Sequence, residues 1–124
     1  MIVQRQDLAS FVGNVGAEVL STHFVVLLME LASRNTLEEL LPKGTIVVGT
    51  AIKIRHMAAA TLGAKVWAES CLKQIDGRRL LFDVSAYDEI EKLAEGENEL
   101  LMVSKDGFLK KIMKKSESRS ISSI

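Results

Sequence analysis

The stretch Phe24-Val-Val-Leu-Leu-Met-Glu-Leu-Ala32 decides the fold. Eight of its nine residues are apolar. A helix built from it has no narrow dry stripe and is expected to be enclosed on most sides. Ser21 or Thr22 stands ahead of it as a cap. The pattern predicts a helix over residues 22–41, running through Leu37-Glu-Glu-Leu-Leu41 to a stop at Pro42 and Gly44. From Gly44 onward the period becomes two. In Thr45 to Arg55 the even positions Ile46, Val48, Thr50, Ile52 and Ile54 make one mostly apolar face. Ala64 to Lys73 alternates Val66, Ala68 and Leu72 against Lys65, Glu69 and Lys73. Asp76-Gly77 marks a hairpin, and Arg79 to Asp88 returns with Leu80, Phe82, Val84 and Ala86 on one face. A last strand is expected over about Glu99 to Lys105. One enclosed helix followed by an antiparallel meander is an α+β domain, a sheet curled around a single long helix. Such a sheet has a second face and two edges to cover, so a homodimer is expected.

The 124 residues make one domain. At 48% hydrophobic and 26% charged, the chain lies outside the disordered and collagen-like classes. A core without metal or disulfide staples is within reach at this length. The longest apolar run, Phe24 to Met29, is far short of a membrane span. Met1-Ile-Val-Gln, followed by Arg5 and Asp7, does not read as a signal peptide. The single cysteine, Cys71, cannot close an internal disulfide and fits a reducing cytoplasm; it is read as a packing residue. One cysteine and two histidines lack zinc-site spacing, so no metal is expected.

The net charge of zero hides a split. Residues 110–124 carry Lys110, Lys111, Lys114, Lys115 and Arg119 against Glu117, a balance of +4, which leaves −4 on residues 1–109. Residues 1–109 read as the domain and 110–124 as a basic, flexible, solvated tail. An acidic body with 5% aromatics is unsuited to nucleic acid.

Four residues could carry chemistry. Glu30 is the one charge within the apolar stretch, and a buried carboxylate needs a partner or its proton. The competing reading is a solvent gap or a structural salt bridge. His56 shares the parity of Ile52 and Ile54, and the small, uncharged Met57-Ala-Ala-Ala-Thr-Leu-Gly63 that follows leaves room for a ligand. An imidazole facing a carboxylate makes an acid/base pair, whereas a histidine alone at a strand end is more often structural. Thr22 is by default a cap, but a helix start also suits a developing oxyanion. His23 beside it is expected near the surface. Gly49 inside a strand marks a bulge or a close approach by another group.

Geometry limits how these could meet. Thr22 and Glu30 are roughly 12 Å apart along a helix, and Gly49 and His56 roughly 23 Å apart along an extended strand. All four can serve one small group only if the strand bends sharply or two subunits contribute. No GxGxxG, P-loop or GxSxG motif is present.

Phe11-Val-Gly, Val19-Leu-Ser-Thr22, Met29-Glu30, Val48-Gly49-Thr50, His56-Met-Ala-Ala-Ala-Thr-Leu-Gly63 and Asp76-Gly-Arg-Arg-Leu-Leu-Phe-Asp-Val-Ser-Ala-Tyr-Asp88 together resemble the hot-dog-fold acyl-CoA thioesterases, in the branch of the fluoroacetyl-CoA thioesterase type. The resemblance runs from about Phe11 to Phe108. It implies a hot-dog fold, an antiparallel sheet wrapped around one long central helix. It also implies hydrolysis of a small or medium acyl-CoA without metal or bound cofactor, coenzyme A entering as part of the substrate. Thr22, Glu30 and His56 would be the catalytic set, with Gly49 holding the thioester through its backbone. The site would lie at the interface of a homodimer, or of a dimer of dimers. Either Glu30 or Thr22 could be nucleophile, or Glu30 the base for water. The chain departs from the branch at Asn98 and Leu100, where histidine and arginine are frequent after the glycine at Gly96. No aromatic lid residue lies between Gly13 and Ser21, and only Ile2 to Gln4 is available for a first strand, which would leave one sheet edge uncovered. The departures imply an apolar pocket that does not discriminate for fluorine. The rival functions are a non-catalytic acyl-CoA-binding module of the same fold and an interaction protein acting through its basic tail.

Overall fold

The computed structural model describes residues 1–122, with side chains through Arg119. Two short 3-10 turns, Arg5–Asp7 and Ala9–Val12, precede helix α1 (Thr22–Leu37). Four strands follow, β1 (Thr45–His56), β2 (Val66–Asp76), β3 (Arg79–Asp88) and β4 (Lys92–Ser104), and then helix α2 (Lys105–Ser122). The strands form one antiparallel sheet in the order β1-β4-β3-β2. This is the hot-dog arrangement, with α1 on one face of the sheet.

Only β2, β3 and β4 form the expected meander. β1 pairs with β4 and not with β2, so residues 57–65 must cross from one edge of the sheet to the other. That segment makes one tight turn, in which Ala64 N–H donates to Thr61 O with Gly63 at positive φ. Unlike the turn at Asp76-Gly77, where Gly77 supplies the positive φ of the β2–β3 hairpin, it joins no two neighbouring strands. It is held by the N-terminal residues instead. Val3 donates to Ala64, Gly63 donates to Val3, and Met1 exchanges two hydrogen bonds with Val66. Met1 to Val3 thus cover the start of the β2 edge, and Trp67 to Asp76 remain its uncovered part.

β3 follows its expected parity, with Leu80, Phe82, Val84 and Ala86 all buried. On α1 the buried residues Val25, Met29, Ser33 and Leu37 recur at steps of four. The helix is therefore not enclosed on most sides within one chain, because one sheet covers one face. Leu27 and Leu31 stay 44% and 42% exposed. The helix also ends at Leu37, short of 41, and Glu38 to Leu40 form a turn before Pro42.

The expected parity of β1 holds only in its second half. Gly49 pairs with Leu100 while Ala51 pairs with Glu99, so Thr50 is an extra residue and the strand bulges there. Val47, and not Ile46 or Val48, packs on the core, and after the bulge Ile52 and Ile54 do so.

β4 begins at Lys92, seven residues before the expected start at Glu99. Its first half reads as charged because alternate glutamates point outward, yet it is the inner strand between β1 and β3. Cys71 is exposed on β2 and is not a packing residue within the chain. Residues read as a flexible tail belong to helix α2, exposed over residues 109–119, because Lys, Leu, Ile and Met favour helix once Lys105 anchors to Gly44. Ser123 and Ile124, the end of that tail, lie outside the described residues. Among the described residues no helix is long and apolar enough to cross a membrane.

Candidate functional site

β1 lies against the side of α1 that carries Thr22 and Glu30, and the two elements run in opposite directions. Each end of the contact brings one helix residue to one strand residue. At the helix start, Thr22 Oγ1 is 2.8 Å from His56 Nδ1. Two turns on, Glu30 meets Gly49, where a Cβ would come within 3.1 Å of Glu30 Oε2. Seven residues separate Gly49 from His56, an odd number that would point them to opposite faces of a regular strand. The bulge at Thr50 reverses the parity and turns both toward α1. The glycine thus marks a bulge beside it and a close approach at it.

The helix start is arranged so that Thr22 is not consumed by capping. Ser21 is the N-cap residue, and it makes no side-chain capping bond. The Thr22 hydroxyl reaches the imidazole instead. Among the described residues, His56 Nε2 is buried without a hydrogen-bond partner. Burial pushes the imidazole below its ordinary value, with the Ala58 backbone opposing part of the effect. His56 is therefore neutral at pH 7, the state that can accept a proton. With Val19, Met57, Ala58 and Ala59 it lines a shallow depression. His23 is exposed, as expected, and lies 3.4 Å from Ser21 Oγ through its Nε2.

Glu30 is not the isolated buried carboxylate that its apolar neighbours suggested. Its side chain is 27% exposed and lies 3.3 Å from Arg34, one turn on. A pair of this kind adds little stability. The wall on the other side is apolar, for the same added Cβ at Gly49 would be 3.9 Å from Leu100 Cδ2.

The chain thus holds two pairs, Thr22 with His56 and Glu30 with Gly49, and keeps them apart by roughly the 12 Å that eight helical residues rise. Among the described residues no group of three or more histidine, cysteine, aspartate or glutamate side chains is placed to hold a metal. Two features beside the site were not legible as functional. Asn98 is almost wholly buried and donates its amide to Ala51 O at 3.1 Å. Thr50 Oγ1 reaches Glu99 Oε2 at 2.9 Å, and Glu99 in turn pairs with Arg79.

Residues 3–106 match the family described as FlK: fluoroacetyl-CoA-specific thioesterase. The chain is 35% identical over 98 residues to a fluoroacetyl-CoA thioesterase of Streptantibioticus cattleyicolor, covering 79% of this chain and 70% of that one. It is similar to a solved fluoroacetyl-CoA-specific thioesterase, a point mutant in complex with fluoroacetate and CoA, at TM-score 0.84 and 29% identity over 93% of this chain and 94% of that one. It shares its fold with a hot-dog-like protein from Thermanaerovibrio acidaminovorans, at TM-score 0.85 and 24% identity over 93% of this chain and 85% of that one.

Proposed function

The chain belongs to the fluoroacetyl-CoA-specific thioesterase family and is a thioester hydrolase, and we propose that it cleaves a small or medium acyl-CoA at a site shared by two copies of the chain. The observation that carries this reading is the double contact of α1 with β1, which prepares a hydroxyl–imidazole pair at one end and a carboxylate against the backbone of Gly49 at the other.

In this mechanism the Gly49 N–H donates to the thioester carbonyl and stabilises the oxyanion. The Glu30 carboxylate either attacks the carbonyl carbon, giving an anhydride that water then opens, or takes a proton from the attacking water. Both routes end in the free acid and the CoA thiol. Hydrolysis in a single turnover in oxygen-18 water separates them, since only the anhydride route can leave label in Glu30. Thr22 donates its hydroxyl to His56 Nδ1, which keeps the proton on Nε2. Nε2–H hydrogen-bonds the departing thiolate, which takes its proton from the water that attacks the thioester or opens the anhydride. No metal and no bound cofactor takes part, and coenzyme A is held as part of the substrate.

A site of this kind needs both pairs around one carbonyl, so the second pair comes from a partner. β1 is an edge strand. Antiparallel pairing of two such edges about an axis between Ile52 and Lys53 sets each Gly49 opposite the partner's His56. Leu27 and Leu31, exposed beside the row that faces β1, are apolar surface that a second copy would cover. Light scattering is expected to give at least about twice 13.6 kDa at micromolar concentration, and a stable monomer would remove the shared site.

Two further outcomes follow from the side chains. Because burial holds His56 below the ordinary imidazole range, kcat/KM should stay level as pH falls to about 6.5 and decline only below it. The neutral ring also favours the folded state. Its contribution is present above the unfolded value and is lost as pH falls through the folded one. A rate that already declines above that range contradicts the assignment. For the acyl group, Leu100 is fully buried where the branch frequently carries arginine, and it borders Gly49. Fluoroacetyl-CoA and acetyl-CoA should then be hydrolysed with kcat/KM within about tenfold of each other. A strong preference for the fluorinated substrate overturns this.

A further inference from the structure

The two reacting ends of β1 share a face only because Thr50 is an extra residue. A bulge is a local departure from the ladder, and its geometry must be held by something. Two side chains of β4 hold it from opposite sides of the sheet. On the outer side, Thr50 Oγ1 bonds the Glu99 carbonyl at 3.2 Å and the Glu99 carboxylate at 2.9 Å, and that carboxylate is fixed by Arg79. On the core side, Asn98 Nδ2 donates to the carbonyl of Ala51, the first residue after the bulge, at 3.1 Å.

Asn98 is an odd choice for its place. It is 1% exposed and lies between the buried Leu100 and the Phe82 with which it pairs in register. Its Oδ1 is buried with no hydrogen-bond partner among the described residues. A core that needed only to be filled would take an apolar side chain of the same size and avoid the orphaned acceptor. The amide is retained although half of it is unsatisfied, so its value lies in the other half, the donor aimed at Ala51 O.

From this we infer that Asn98 is a positioning residue of the hydrolysis: through the Ala51 carbonyl it fixes the bulge that aims the Gly49 N–H and the His56 imidazole at one side of β1. The inference rests on the thioesterase reading given above. Asn98 touches neither the thioester nor the thiolate. It acts through the backbone, where a displacement of about 1 Å at the reacting groups can cost two orders of magnitude in rate.

The test is a comparison of stability and turnover in three variants of the full chain, using acetyl-CoA and release of free thiol. Asn98→Leu keeps the volume and removes both amide atoms; its melting temperature should be equal to or above that of the parent, while kcat falls about tenfold to a hundredfold with little change in KM. Asn98→His keeps an N–H donor and should retain kcat within about threefold of the parent. Thr50→Val removes the outer clamp and should lower kcat in the same sense, with KM again little changed. A merely structural Asn98 gives a different pattern, in which the leucine variant melts earlier or fails to fold and loses kcat only in step with folded protein. That result overturns the inference, as does a leucine variant with unchanged kcat. A parent chain that releases no thiol from any acyl-CoA overturns the thioesterase reading, and the positioning role with it. An active parent with unaffected variants overturns the positioning role alone.

Discussion

Glu30→Gln and His56→Ala are each expected to lower acyl-CoA hydrolysis by about a hundredfold or more, the usual range for losing an acid/base group. The double variant should be little worse than the poorer single one, because groups that act as a unit are not additive. Glutamine keeps the volume of Glu30 and removes the charge that must attack or accept a proton. Its effect on stability should be small, for the contact it breaks is an i,i+4 pair with Arg34, whose own side chain is 47% exposed. His56→Ala loses the bond to Thr22 but also removes a buried ring nitrogen without a partner, so its stability cost is partly offset. If both single variants turn over substrate at near the parental rate while melting much earlier, the two residues are structural and the mechanism is wrong.

A mixing experiment separates a shared site from one built within a single chain. In a mixed dimer of E30Q and H56A chains, one site receives both damaged residues, and the other combines an intact Glu30 with an intact His56. Random re-pairing of equal amounts should therefore restore about a quarter of the parental activity, from two inactive parents. A site made by one chain gains nothing on mixing, since every copy is damaged. Recovery near zero, with subunit exchange verified by mass, would place both pairs in one chain.

Much of this molecule was legible because its signals are local. The apolar run from Phe24 located the helix. The alternation of Leu80, Phe82, Val84 and Ala86 gave β3 its register, and Asp76-Gly77 marked the turn where the structure has it. The pattern did not say what covers the helix, because an apolar residue such as Leu27 looks the same whether a sheet of its own chain or a second copy lies over it. The pairing of β1 with β4 was hidden for a related reason, as strand order is set by long-range contacts that leave no periodicity. The parity error in β1 has the simplest cause. One extra residue at Thr50 reverses every position before it, and only Gly49 hinted at an irregularity. The same bulge decides the candidate site, since it brings Gly49 and His56 to one face. The four residues could be named singly from chemistry, while their assortment into two pairs required the fold.

Gly96→Ala is expected to be the most damaging small substitution in the sheet. Gly96 lies in the first half of β4, paired with Ile54 on one side and Val84 on the other. A Cβ there would collide with the backbone carbonyl of Lys53 and stand 2.8 Å from Ile54 Cα. Both obstacles are backbone, so no rotamer change can relieve the contact. β4 cannot retreat from β1 without moving against β3, because it is the inner strand between them. The overpacking should cost about 3 kcal/mol, or a fall in melting temperature of roughly 15 °C. Activity should fall further than the loss of folded protein accounts for, since Ile54 is two residues from His56 and the collision pushes on that end of β1. Gly107 supplies the control. It lies in α2, where an added Cβ would find Ser104 Oγ at 3.6 Å, an ordinary contact. Gly107→Ala should therefore be neutral or stabilise by up to about 1 kcal/mol, the helix preference of alanine over glycine. Thermal melts of the two variants beside the parent decide the matter. If Gly96→Ala melts within a few degrees of the parent, the close approach of β4 to β1 is not a constraint on this fold.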